Sequence, residues 1–172
     1  MKLNVTLKTW FFSVLCCLLL VTSAHAASVY QKAAGIYPVS WREELSLTGF
    51  FNKDKSAGTG QLTVKSNKTW TYKETGGTVS GTYQIKGNKF ILAKTKVFQN
   101  MITDGILDWV RAYGIQNPSA TIERFTITSP ALRSGKPKGT TVIVNVEGLG
   151  YGTYQGQKGK AQFKYQQIIN IK

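Results

Sequence analysis

Apolar and polar positions along this chain alternate, change to a three- and four-residue rhythm near residue 98, and then alternate again. Leu45 and Leu47 open the first alternation, after ASVYQKAAGIYPVSW (residues 27–41), which has no clear period and reads as a leader arm. Gly58 and Gly60 precede QLTVK, where Leu62 and Val64 alternate with polar neighbours. TWTYK repeats the pattern with Trp70 and Tyr72, and VSGTYQI and KFILAK continue it. Such alternation marks strands with one buried face. Ser66-Asn67 and Gly87-Asn88 suit two-residue hairpin loops, because these residues tolerate the positive φ of primed turns. Strands two to five are therefore expected as an antiparallel meander.

In VFQNMITDGILDWVRAYG the apolar residues Phe98, Met101, Ile102, Ile106, Trp109 and Tyr113 recur at helical steps, which predicts one amphipathic helix from about Phe98 to Tyr113. Gly114 fits just past its end, and Pro118 prevents early resumption. Gly105 falls on the apolar face, where it suits close approach to a sheet. Strand patterns then return in TIERFTIT, TTVIVNVEG, GYGTYQG and AQFKYQQIINIK, the last with Phe163, Tyr165, Ile169 and Ile171 on one parity and Gln167 interrupting them. The glycines of GLGYGTYQGQKGK mark bends or close backbone approach. Their spacing is not G-x-G-x-x-G and a strand follows them, so they do not form a phosphate loop.

Eight or nine short antiparallel strands with one helix between the fifth and sixth predict an all-β fold: a single up-and-down barrel, whose closure leaves no edge unpaired. TWTYKETGGTVSGTYQIKGNKFIL resembles the central meander of lipocalin-like proteins. YGTYQGQKGKAQF is similar to the closing glycine-rich hairpin of other calycin-type barrels, including the allene oxide cyclase and dirigent families. The chain departs from the lipocalin pattern in lacking a G-x-W in a first strand and a disulfide pair. Resemblance to calycin barrels implies binding of small, often apolar, molecules and transfers no site residues.

The N-terminus adds a compartment. Lys2 and Lys8, the apolar run Trp10 to Val21 and the tripeptide Ala24-His25-Ala26 compose a secretory signal peptide over residues 1–26, cut before Ala27. The apolar run is shorter than the roughly 20 residues that a spanning helix needs, and no other stretch is long enough. The expected organisation is signal peptide 1–26, N-terminal arm 27–41 and barrel domain 42–172, in an exported protein of the periplasm or the medium. Cleavage leaves 146 of the 172 residues, enough for one core.

It also removes Cys16, Cys17 and His25, the chain's whole complement of Cys and His. Imidazole and thiolate metal sites, Cys nucleophiles, Ser-His-Asp triads and disulfides are excluded by composition, and neither cofactor nor metal is expected. An enzyme would have to work with Glu, Asp, Tyr, Lys or Arg. Asp104 and Asp108 are paired at helical spacing but fall on the helix's polar face, beside Arg111, and Glu43-Glu44 reads as solvent-facing. Glu123 shares parity with Phe125 and Ile127, which makes it the carboxylate to expect inside the barrel.

Of the aromatic residues Trp41, Trp70, Tyr72, Tyr83, Phe90, Trp109 and Tyr154, the set Trp70, Tyr72, Tyr83 and Phe90, with Glu123, forms the candidate ligand pocket. In an eight-stranded barrel the same residues can simply fill the interior. Losing Lys2 and Lys8 from 22 basic residues leaves 20 against 8 acids, a net charge of +12, which favours anionic partners. If successive turns alternate between barrel ends, Lys65, Lys68, Lys86, Lys89, Arg133, Lys136, Lys138, Lys158 and Lys160 gather in one anion-attracting rim. That placement of Lys158 and Lys160 requires a turn at Gly148–Gly150; a continuous strand sends them to the other end. Lysines at hairpin tips also serve solubility alone. The expected function is non-enzymatic binding of a small amphipathic molecule or an anionic envelope component, with peripheral contact to an anionic membrane surface. The alternative is docking on a protein or acidic polymer through surface lysines, with a filled barrel. Export disfavours nucleic acid.

Overall fold

The computed structural model describes residues 29–172 apart from Thr75 and Gly76, with the side chains of Phe51 and Asn52 left aside. The signal segment 1–26 and its cleavage point lie outside the described residues. Eight strands, β1 (Gly35–Leu47), β2 (Phe51–Val64), β3 (Thr69–Glu74), β4 (Gly77–Lys86), β5 (Lys89–Leu92), β6 (Gln116–Ile127), β7 (Thr140–Tyr154) and β8 (Gln157–Ile171), form one antiparallel sheet. The helix α1 (Lys96–Ala112) lies between β5 and β6, and a helical turn at residues 29–33 precedes β1.

The strand order β5-β4-β3-β2-β1-β8-β7-β6 is that of an up-and-down barrel, made continuous where β1 pairs with β8 from Val39↔Ile171 to Leu47↔Phe163. The barrel is nearly closed. Its seam lies between β5 and β6, where the four residues of β5 are splinted by the chain after β6: Phe90 N donates to Pro130 O at 2.9 Å and Leu132 N to Asn88 O at 2.6 Å. Lys94 bridges to β6 through the Phe125 carbonyl at 2.8 Å.

Three expectations about strand limits change. The first strand begins at Gly35, so residues 35–41 of the expected arm are barrel wall: Tyr37 and Val39 are buried and pair with Leu62 and Gly60 of β2. Ser40 and the outward Pro38 hid that alternation. The second strand extends back to Phe51, and its stretch KDKSAGTG (residues 53–60) has no apolar side chain larger than alanine and so gives no period. The glycines of GLG form no turn. β7 runs through them, with Gly148 so close to β6 that a Cβ would lie 2.1 Å from the Thr121 carbonyl oxygen. The turn comes at Gln155-Gly156, whose φ values of 49° and 80° fit a primed hairpin.

In α1, Thr95 caps the N-terminus by accepting from Phe98 N at 3.2 Å, and Phe98, Ile102, Ile106 and Val110 are buried. Phe98 packs edge-on against Trp70 at 5.9 Å and Phe125 at 6.1 Å. Trp109 and Met101 are half-buried, and Tyr113 is exposed. Across the barrel, Trp109 Nε1 donates to Asp54 of β2, which the Tyr113 hydroxyl also reaches. The helix thus spans from the seam to the far wall. Its end of the barrel, here the helix end, also holds the β1–β2 and β7–β8 turns. The other end carries turns 65–68 and 87–88 and loop 128–139. It is plugged by the helical turn 29–33: Tyr37 donates to Ala33 O at 2.8 Å, and Tyr30 packs on Tyr83 at 5.6 Å.

Candidate functional site

Between helix and sheet lies a cavity of about 440 Å³. Its floor, toward the plugged end, is apolar: Val39, Leu62, Phe90, Val142 and Ile171. Gly77, Thr78 and Gly105 border it and are themselves exposed, which puts the mouth between α1 and the start of β4. Gly105 has no heavy atom within 4 Å of where a Cβ would stand, so it opens the mouth and does not serve close packing.

Glycines on neighbouring strands set the walls. Trp41 of β1 lies over Gly58, its partner in β2, and Trp70 of β3 lies over its partner Gly81 in β4. Tyr72 covers Gly60 in the same way. A Cβ on any of the three would come within 2.7 Å of the ring. Absent side chains in the neighbouring strand let each ring lie close against the wall. Trp70 is fixed further by its Nε1, which donates to Thr82 O at 3.2 Å.

The polar groups form a collar between floor and mouth. The Tyr165 hydroxyl donates to Glu43 at 2.7 Å, with Gln167 Nε2 at 3.5 Å from the same oxygen, and the Tyr72 hydroxyl donates to Glu74 at 2.8 Å. Burial holds the Glu43 carboxyl above its ordinary 4.5; the Tyr165 hydrogen bond opposes this and the charge of Glu74 adds to it. Burial, reinforced by the carboxylates they serve, also raises the phenols of Tyr165 and Tyr72. Trp41 Nε1 is buried with no hydrogen-bond partner, near enough to the Tyr72 hydroxyl to oppose part of that rise. No Lys or Arg lines the cavity among the described residues. Nor do three potential metal-ligating side chains come together anywhere among them.

Of the residues expected in a pocket, Trp70, Tyr72 and Phe90 line the cavity. Tyr83 lies behind the floor, stacked on Phe90 at 4.9 Å and donating to Lys65 O at 2.8 Å; burial first, then Tyr30 and Tyr37, push its phenol up to about 12. Glu123 is exposed, contrary to its parity, because β6 has a bulge there: Ile122 pairs with Gly148 and Arg124 with Glu147. Glu43, expected in solvent, is the inward carboxylate, while Glu44 faces out to Lys53 and Lys55. Sequence reasoning missed Trp41, Glu43 and Glu74. The signal was parity: residues 41 and 43 share it with Leu45, and residue 74 with Trp70.

Lys65, Lys68, Lys86, Lys89, Arg133, Lys136 and Lys138 are exposed together at the plugged end, and the turns and loop there contain no acid. Lys86 and Lys89 are direct cross-strand partners at the Gly87-Asn88 turn. The other turn is not a two-residue loop. Lys68 takes a φ of 69° and its ammonium sits 5.0 Å from the Tyr30 ring centroid, so Lys65 and Lys68 do not oppose each other. Lys158 and Lys160 pair with Thr153 and Tyr151 and stand at the helix end, as the continuous β7 requires. The basic group therefore surrounds a plugged end and not the cavity mouth.

Together these features define an eight-stranded, nearly closed antiparallel barrel with an aromatic-walled internal cavity, an architecture consistent with calycin-like barrels. No protein family and no curated protein matches the chain, so its own geometry carries the functional reading.

Proposed function

We propose that the protein is an exported, non-enzymatic binder, periplasmic or secreted, that holds a small amphipathic molecule inside a calycin-type barrel. The cavity carries this reading: its volume of about 440 Å³ falls in the range of small-molecule sites, and its apolar floor beneath a polar collar suits one apolar and one polar moiety. Three tryptophans in its walls give an intrinsic optical readout. Native mass spectrometry of protein purified from its own host tests the proposal. A retained small molecule, released on unfolding, is the expected result; ligand-free protein that also fails to bind any alkyl amphiphile sinks it.

A second reading, docking on an anionic surface, is favoured by the basic group at the plugged end. Binding to anionic vesicles or heparin falls with salt and weakens in a Lys65, Lys68, Lys86 and Lys89 quadruple-Gln variant. Equal affinity of folded variant and wild type at low salt removes this reading and leaves the first intact.

A further inference from the structure

We infer that the cavity's ligand is cationic: an alkyl- or arylammonium compound with its head at Glu43 and Glu74 and its apolar part on the floor. This rests on the reading of the barrel interior as a ligand site and adds the sign of the ligand's charge. The chain carries 22 Lys and Arg against 8 acids, yet two of those acids and none of the bases line the cavity. Outside the cavity, Glu44 lies 3.5 and 3.6 Å from two lysines and Asp108 beside Arg111. Inside, the partners of Glu43 and Glu74 among the described residues are neutral: a tyrosine hydroxyl each, with Gln167 near Glu43. A carboxylate offers about four lone-pair sites, so both keep free acceptor capacity.

The rest of the wall fits the same ligand. Trp41, Trp70, Tyr72 and Trp109 line the cavity, and aromatic faces attract cations about 6 Å or less from the ring centroid. An anionic head would meet two carboxylates and no counter-charge. The basic end does not reverse this preference, because it lies beyond the floor and salt screens charges over about 8 Å.

Matched ten-carbon probes test the inference: decylammonium, decanol and decanoate, titrated near neutral pH and read by tryptophan fluorescence and native mass spectrometry. Decylammonium is expected to bind about tenfold or more tighter than decanol, and decanoate weakest. In a Glu43→Gln, Glu74→Gln variant, whose fold is checked by far-UV circular dichroism and cooperative urea unfolding, the ratio of decylammonium to decanol affinity falls to about one. In wild-type protein, acidification through the Glu43 titration weakens decylammonium and leaves decanol unchanged. Decanol or decanoate binding as tightly as decylammonium overturns the charge assignment but preserves the cavity as a ligand site. An advantage that survives the double substitution overturns the role of the two carboxylates. Binding of none of the probes overturns both the inference and the reading beneath it.

Discussion

Trp41 lies against Gly58, its cross-strand partner, so closely that a Cβ at position 58 would stand 2.6 Å from indole Cζ2. The glycine thereby decides how far the ring stands out into the cavity. Gly58→Ala is expected to drive the indole inward, at a stability cost of about 1–3 kcal/mol and with a loss of cavity volume. Chemical denaturation and decanol titration measure the two effects, and unchanged values in both contradict this account of the wall.

Phe98 carries the helix's attachment. It is buried and meets Trp70 and Phe125 edge-on, whereas Trp109 is half-buried and tied through Asp54. Phe98→Ala should cost about 3–5 kcal/mol and Trp109→Ala distinctly less. Urea unfolding with a common slope ranks them; a larger loss at Trp109 would reverse the assignment.

Glu43 gives a pH signature. Its folded-state pKa lies above the ordinary 4.5, so the folded protein holds this proton more tightly than the unfolded chain does. The resulting destabilisation is absent well below 4.5, grows as pH rises through the folded value and is constant above it. Glu43→Gln keeps an acceptor for the Tyr165 hydroxyl and removes the charge. Its denaturation midpoint is expected above wild type at neutral pH, with the two converging in acid. A lower midpoint for the variant near pH 7 would falsify the sign.

Export is tested separately. The intact mass of protein recovered outside the cytoplasm should correspond to a chain starting at Ala27; a mass that includes Met1 or Lys2 rules out the cleavage proposed at Ala24-His25-Ala26.

The fold class, the meander and the helix were legible because period-two and helical patterns survive wherever apolar side chains mark the inner face. They failed where that face carries none. Gly58 and Gly60 leave no apolar mark on β2, inward Glu43 read as a solvent residue and Glu74 was passed over, although the two share parity with Leu45 and Trp70. Gln167 stood out as an interruption in an apolar row, and the structure puts it beside Glu43. Glu123 misled for the opposite reason: a bulge shifts parity within one strand, and its opposing Gly148 is recognisable only once the register is known. The glycines that shape the cavity look like weakness in a strand until the rings lying over them are seen.

The separation of charge between the two ends has a mechanical consequence. Around the plugged end seven bases have no acid in the turns and loop that carry them, whereas at the helix end Lys53, Lys55, Arg111, Lys158 and Lys160 are offset by Glu43, Glu44, Asp54, Glu74, Asp104 and Asp108, so the positive excess sits at one end and gives the molecule an electric moment roughly along the barrel axis. A negatively charged surface exerts a torque on such an object before it touches, turning the plugged end inward. The opening beside Gly105 then points to the bulk liquid, so under the proposed function arrival at the surface and exchange of cargo would be sterically independent. Molecules gathered in this way would stand side by side as an oriented layer, all facing outward.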